Sequence, residues 1–296
     1  MHDALLDRPR AAPIDSEHFQ RCFADVDVHV RSCPELVRAL ALVHGRVEEG
    51  RVGKANDVIT LTVRRTSREW LVDQDGQPSK PLGPSNAALG DIAIRVSKRL
   101  GRAVAARSRH CFMRGIALER DDRALAIGGG LAVGKSTIGA HLIARGWRLV
   151  SDDYAIIDAR NCRTIPYHKL MALAAGALDL VPHSFRSALE ASPWFACSGA
   201  TDINFYAVDP AVSCGADVWS PGGRLAWLLL ARRNGLVDAA IRTAYDPAVG
   251  MVAPHSVPQA QLRLNFNALR RTKIGFLDIG APLATTDLIE DWCSSA

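Results

Sequence analysis

The chain has 296 residues, 48% of them hydrophobic, and a formal net charge of +5. That is enough for one large domain or two smaller ones around a sizeable core, and the mild positive charge suits a protein that handles phosphates. No run of eighteen apolar residues is present, which excludes a membrane-spanning helix, and the absence of any long basic run or aromatic–basic ladder argues against a nucleic-acid partner.

In chain order, residues 1–16 carry prolines and charges (MHDALLDRPR AAPIDS) and read as a loose tail without an apolar signal core, so a cytoplasmic protein is expected. Residues 36–43 (LVRALALV) have helical spacing. Residues 58–64 alternate and are rich in β-branched side chains, residues 69–73 form a second strand, and the Asp75-Gly76 turn follows; the pair makes a hairpin or meander. Residues 78–84 read as a proline-rich loop. Residues 86–100 read as a helix stopped by Gly101. The resulting expectation is a small α+β module over residues 17–105 and a second domain over 106–296. Seven scattered cysteines, odd in number and without a C-x-x-C pair, predict neither a zinc site nor a disulfide framework.

In the second part, residues 111–119 read as a strand, Asp121-Asp122 as a turn, and residues 123–127 (RALAI) as a buried strand. The next residues, Gly129, Gly130, Leu131, Ala132, Val133, Gly134, Lys135 and Ser136, fit G-x-x-x-x-G-K-[ST], and a helix from Thr137 to Arg145 follows. Strand, glycine loop and helix is the context in which this pattern binds phosphate. Glycines let successive backbone N–H groups close around a triphosphate, and the helix N-terminus adds partial positive charge. Lys135 reaches the β- and γ-phosphates and Ser136 holds Mg²⁺. ATP or GTP is therefore the expected ligand.

Arg145-Gly146 suits a helix C-cap, and residues 147–151 run as a buried strand ending at Asp152 and Asp153. In such folds ligands sit beyond the carboxyl ends of the strands, so both carboxylates are expected to face the γ-phosphate. One is needed for the Mg²⁺ shell, the other to orient or deprotonate an attacking hydroxyl. Short strands are expected at residues 154–158 and 164–167, a long irregular stretch over 182–223, a strong strand over 224–231, and helices over 258–268 and 286–292.

The run Arg145-Gly146-Trp147-Arg148-Leu149-Val150-Ser151-Asp152-Asp153 resembles the HPr kinase/phosphorylase superfamily, which carries R-G-H-x-L-V-x-D-D after its phosphate-loop helix. The resemblance covers Arg114 to about Asp158. It implies an α/β fold with a phosphate-loop kinase core and a central mixed sheet. It also implies that Asp152 is the base accepting a serine proton, that Asp153 supports metal or geometry, and that the protein is a homo-oligomer. Three features depart from the family: Thr137 replaces the glutamate after the loop serine, Arg114-Gly115 replaces a His-Gly pair, and the family's substrate-gripping loop has no clear counterpart. These point away from phosphorylase activity and toward the related kinases found beside peptide-modification genes, such as those acting on lasso peptide precursors.

The expected activity is Mg·ATP-dependent transfer to a serine of a peptide or small protein. A small-molecule kinase acting on a sugar or nucleoside hydroxyl, or a non-catalytic ATP-binding regulator, are the alternatives. Arg114 either stabilises the transferring phosphoryl group or is a surface arginine on an edge strand. Lys169 either contacts phosphate or is a solvated lysine, the second being favoured. His110 reads as a structural histidine, Arg232 and Arg233 as residues facing the γ-phosphate side, and residues 270–273 (RRTK) as a solvated charge run. Trp194 and Phe195 belong either to a substrate lid or to a packed loop.

Overall fold

The computed structural model describes residues 17–44, 55, 57–192, 194–197, 203–233, 238–246, 250–251 and 271–295. The expected tail over 1–16, the expected helix over 258–268 and Arg270 lie outside them. Among the described residues the fold is mixed α/β, with three sheets.

A five-stranded sheet comes first, in the order β1 (His18–Phe23), β2 (Val26–Arg31), β3 (Asp57–Arg65), β4 (Glu69–Gln74), β5 (Gln77–Pro84). Its inward faces alternate as a half-buried sheet requires: Val26, Val28 and Val30 on β2, then Ile59, Leu61 and Val63 on β3 are buried, with more exposed residues between them. The expected proline loop is β5. Pro78, Pro81 and Pro84 are tolerated because β5 is the edge of its sheet, where a missing N–H need not face a neighbour. Helices α1 (Pro34–His44) and α2 (Leu89–Arg107) cover this sheet.

Helix α2 runs straight through Gly101, which sequence reading took as a stop. Glycine in a helix interior costs about 1 kcal/mol relative to alanine. Here it is demanded by packing: a Cβ at this position would sit 2.5 Å from the Tyr154 ring. Tyr154 is one link in a chain of ring contacts. Its ring centroid lies 6.2 Å from that of Tyr167; Tyr167 lies 5.0 Å from Phe23, and Phe23 lies 5.2 Å from His44. His44 is wholly buried and burial pushes its imidazole down to about 3, so it packs as a neutral ring. Ile156, Ile165, Tyr167, Leu170 and Ala207 share one hydrophobic core with the first sheet. The N-terminal elements thus pack directly on the segment that follows the two aspartates.

The nine-stranded sheet has the order β10 (Thr164–Ile165), β9 (Tyr154–Ile157), β6 (Cys111–Arg120), β7 (Arg123–Gly129), β14 (Arg224–Arg232), β17 (Lys273–Asp278), β15 (Ala240–Asp246), β16 (Gly250–Met251), with β8 (Arg148–Ser151) also paired to β6. It is mixed: β14 runs parallel to β7 and β17, while β6 is antiparallel to β7. Strand β14 is flanked on both sides, and its near-continuous apolar run (LAWLLLA) is what a strand buried on both faces needs. Helices α3 (Lys135–Ala144) and α6 (Pro282–Ser294) pack together against this sheet. A clasp of charges joins them: Glu290 takes hydrogen bonds from Arg120 (2.7 Å), Arg145 (2.9 Å) and the Trp147 indole (3.3 Å).

Two further expectations are corrected here. The stretch over 182–223 is largely regular: α4 (His183–Glu190), β12 (Trp194–Cys197), β13 (Ile203–Val208) and α5 (Pro210–Cys214), with β13 between β12 and β11 (Met171–Ala174) in a three-stranded antiparallel sheet. These elements are too short for periodicity to reveal. The RRTK run is not a solvated face throughout: Thr272 and Lys273 are buried, and the Lys273 ammonium lies 4.9 Å from the Trp292 ring centroid and donates to its carbonyl at 3.2 Å.

Candidate active site

Residues 129–137 join β7 to α3 in the way the sequence predicts. Gly129 has a φ of 152°, and a Cβ there would lie 2.4 Å from the Ala231 carbonyl oxygen of the neighbouring β14. Only glycine lets the loop leave the sheet so close to that strand. Ala132 and Gly134 also have positive φ, at 58° and 100°. Turns built on such conformations are where backbone N–H groups can gather around an anion. Lys135 lies at the start of α3, and its ammonium donates to the carbonyls of Gly130 (2.5 Å) and Gly129 (3.2 Å). Burial pushes Lys135 below its ordinary pKa, and Arg114 adds to that, while Asp152 and Asp153 oppose it.

Asp152 and Asp153 sit between β8 and β9, both of which pair antiparallel with β6. In an uninterrupted strand, adjacent side chains point to opposite faces. Asp153 has a φ of 78°, a conformation that aspartate tolerates better than most residues, and this breaks the alternation. Its carbonyl still accepts from the Gly115 N–H at 3.0 Å, so the break is pinned to β6. Both carboxylates consequently line one cavity of about 430 Å³ together with the loop.

The two carboxylates occupy different electrostatic settings. Asp152 is 3% exposed. It accepts from the Ser136 hydroxyl (2.9 and 3.2 Å) and from the Ala172 N–H (2.9 Å). Burial, reinforced by the neighbouring Asp153 charge, holds it above the ordinary carboxylate range. For Asp153 burial acts in the same direction, but the Lys169 ammonium, ion-paired with it, prevails and holds it below that range, helped by Arg114 and Lys98.

Sequence reading expected Ser136 to share a metal with Asp153; the carboxylate that touches Ser136 is Asp152. It favoured a solvated Lys169; the side chain is buried and pairs with Asp153. Arg114, on β6 next to the loop strand, is exposed and lines the cavity, as does Arg233. Arg232 instead pairs with Asp278 at 2.5 Å. His110 lies outside the cavity lining, 3.9 Å from Asp25 and 3.7 Å from Asp158. Among the lining residues that had no signal in the sequence are Ile94 and Lys98 from α2 and Phe205 from β13.

The donor set fits a magnesium nucleotide. Ser136 and Asp152 offer oxygen ligands side by side at a helix N-terminus. Among the described residues no group of three or more His, Cys, Asp or Glu side chains is placed to hold a metal alone. Mg²⁺ would complete its shell with phosphate oxygens and water, as that ion commonly does. No described helix is long and apolar enough to cross a membrane.

No family model matches the chain, and no curated protein matches it. Among solved structures it is similar to the HPr(Ser) kinase/phosphatase from Coxiella burnetii, at 16% identity and a TM-score of 0.33, over 62% of this chain and 91% of that one.

Proposed function

We propose that this chain is a Mg·ATP-dependent kinase that transfers the γ-phosphoryl group to a serine hydroxyl of a peptide or small protein. The observation that supports this most is the convergence, in one cavity, of the glycine loop, Lys135, Ser136 and two carboxylates whose surroundings shift them in opposite directions. A pair of acids whose environments push them apart is a common basis for dividing roles between them.

The parts are assigned as follows. The N–H groups of residues 130–135 and the Lys135 ammonium bind the phosphates. Ser136, with carboxylate support, would hold Mg²⁺, which would supply charge neutralisation for the phosphoryl oxygens. Asp152 accepts the serine proton, since its raised pKa makes it the better base of the two. Asp153, fixed by Lys169, keeps the turn in place and adds its charge to the site. Arg114 places a guanidinium beside the transferring group. Positioning and charge stabilisation carry most of the catalysis.

The test is transfer from γ-labelled ATP, with Mg²⁺, to serine-containing peptides. Labelled phosphoserine is the expected product; ATP binding without transfer to any peptide or hydroxyl compound would refute the kinase reading. The pH profile gives a finer expectation. The base must be ionised, so activity rises with pH through the raised Asp152 pKa, and the acid limb lies above the ordinary carboxylate range. In Asp153→Asn that limb shifts to lower pH. The substitution removes a like charge that raises Asp152, and it frees the Lys169 charge to lower it further. An unmoved limb would detach Asp152 from the rate-limiting ionisation.

A further inference from the structure

Helix α2 belongs by sequence to the N-terminal sheet, yet it forms a wall of the cavity. Ile94, Lys98 and Gly101 stand at i, i+4 and i+7, on one helix face. Gly101 presses on Tyr154, immediately after the two aspartates, and Ile94 and Lys98 line the cavity itself. Lys98 is half-buried there, and its charge acts on the carboxylate of Asp153. The cavity also holds Arg114, Lys135, Lys169 and Arg233, so five cationic side chains face two carboxylates. The loop and Lys135 account for phosphate binding, and Lys169 is paired with Asp153. Lys98 comes from a different wall, contributed by an element that the phosphate-binding machinery does not require.

We propose that α2 completes the cavity as its acceptor wall, and that Lys98 is a specificity-determining residue that binds an acidic side chain flanking the acceptor serine. This rests on the kinase reading. An ammonium in the wall of a phosphoryl-transfer site selects by charge: an acidic neighbour gains a charge-assisted hydrogen bond, and a basic neighbour meets repulsion.

The experiment uses the full chain, saturated with Mg·ADP, and short fluorescent peptides carrying one serine flanked by Glu, Ala or Lys. Affinities are read by fluorescence anisotropy for the unmodified protein, Lys98→Ala and Lys98→Glu, with ADP affinity measured alongside. The Glu-flanked peptide is expected to bind the unmodified protein about tenfold more tightly than the Ala-flanked one. That gap should shrink to roughly threefold or less in Lys98→Ala and invert toward the Lys-flanked peptide in Lys98→Glu, while ADP affinity stays within about twofold. Equal binding of all three peptides, no binding of any, or an acidic preference that survives in Lys98→Glu would overturn the proposal. So would a loss of ADP affinity of about tenfold in Lys98→Ala, which would place the ammonium on phosphate instead. Transfer to the same peptides is scored separately. Selective binding without phosphorylation upholds the acidic subsite and defeats the kinase reading; phosphorylation indifferent to the flanks does the reverse.

Discussion

Asp152→Asn is expected to lower the transfer rate by about 10²- to 10⁴-fold, the usual contribution of a positioned general base, while ATP affinity changes by no more than about threefold. The substitution is conservative in this setting. Asparagine keeps an oxygen that accepts from the Ala172 N–H and from Ser136, the contacts that now hold the carboxylate. It also mimics the protonated acid, the form that burial favours more in the folded than in the unfolded chain. The sign follows: a raised acid costs the fold stability once the pH exceeds that pKa, so the neutral amide should melt at the same temperature or slightly higher at neutral pH. Lost transfer with an undiminished melting temperature therefore reports chemistry and not unfolding. Because Asp152 also touches the serine expected to hold Mg²⁺, the assay is repeated over a range of Mg²⁺ and Mn²⁺ concentrations. Activity recovered by added metal would assign the carboxylate to the ion; activity near that of the unmodified protein at ordinary Mg²⁺ would remove it from the mechanism.

Lys135→Ala is expected to weaken ATP binding by roughly 10- to 150-fold, the equivalent of a charge-assisted hydrogen bond of about 1.5–3 kcal/mol. The ammonium now donates to the carbonyls of Gly129 and Gly130, at the entrance of the loop. It is held there below its ordinary pKa chiefly by burial, so a negatively charged neighbour would stabilise its protonated form. Its removal deletes that attraction and also frees two carbonyls that shape the loop. Titration calorimetry with ATP and with adenosine separates the two effects. The loss should appear for ATP and be small for adenosine if the side chain serves phosphates as proposed. Equal losses for both would show a collapsed loop, and unchanged ATP affinity would contradict the phosphate-binding assignment.

The parts of this protein that could be read in advance are those whose cause is local. The glycine loop is visible because it needs particular residues at fixed offsets within one turn of chain. The segment from Arg148 through Asp153 is visible because a buried strand and its terminal acids are contiguous. What escaped depends on partners distant in sequence. β5 is a strand because it lies at an edge that admits its prolines, a fact of sheet order and not of composition. α2 continues past Gly101 because an aromatic ring 53 positions later leaves room for nothing larger than glycine. Lys169 looks like any surface lysine until β11 and the left-handed turn at Asp153 bring it onto a carboxylate. Which aspartate meets Ser136 was likewise decided by a single positive φ, which the Asp-Asp pair alone does not encode.

The place of the C-terminal elements in the sheet has a consequence for how the protein is made. β14 is held between β7 and β17, and α6 braces α3 through Glu290, so the frame beneath the glycine loop includes residues 273–294. A ribosome adding about 5–20 residues per second needs roughly 8–30 s to pass from Lys135 to the end of α6. Until residues 224–232 are made, β7, with its apolar run, lacks its parallel neighbour β14, and β14 in turn lacks β17 until the chain reaches residue 278. The nascent chain must keep these edges shielded until β17 is made and paired with β14.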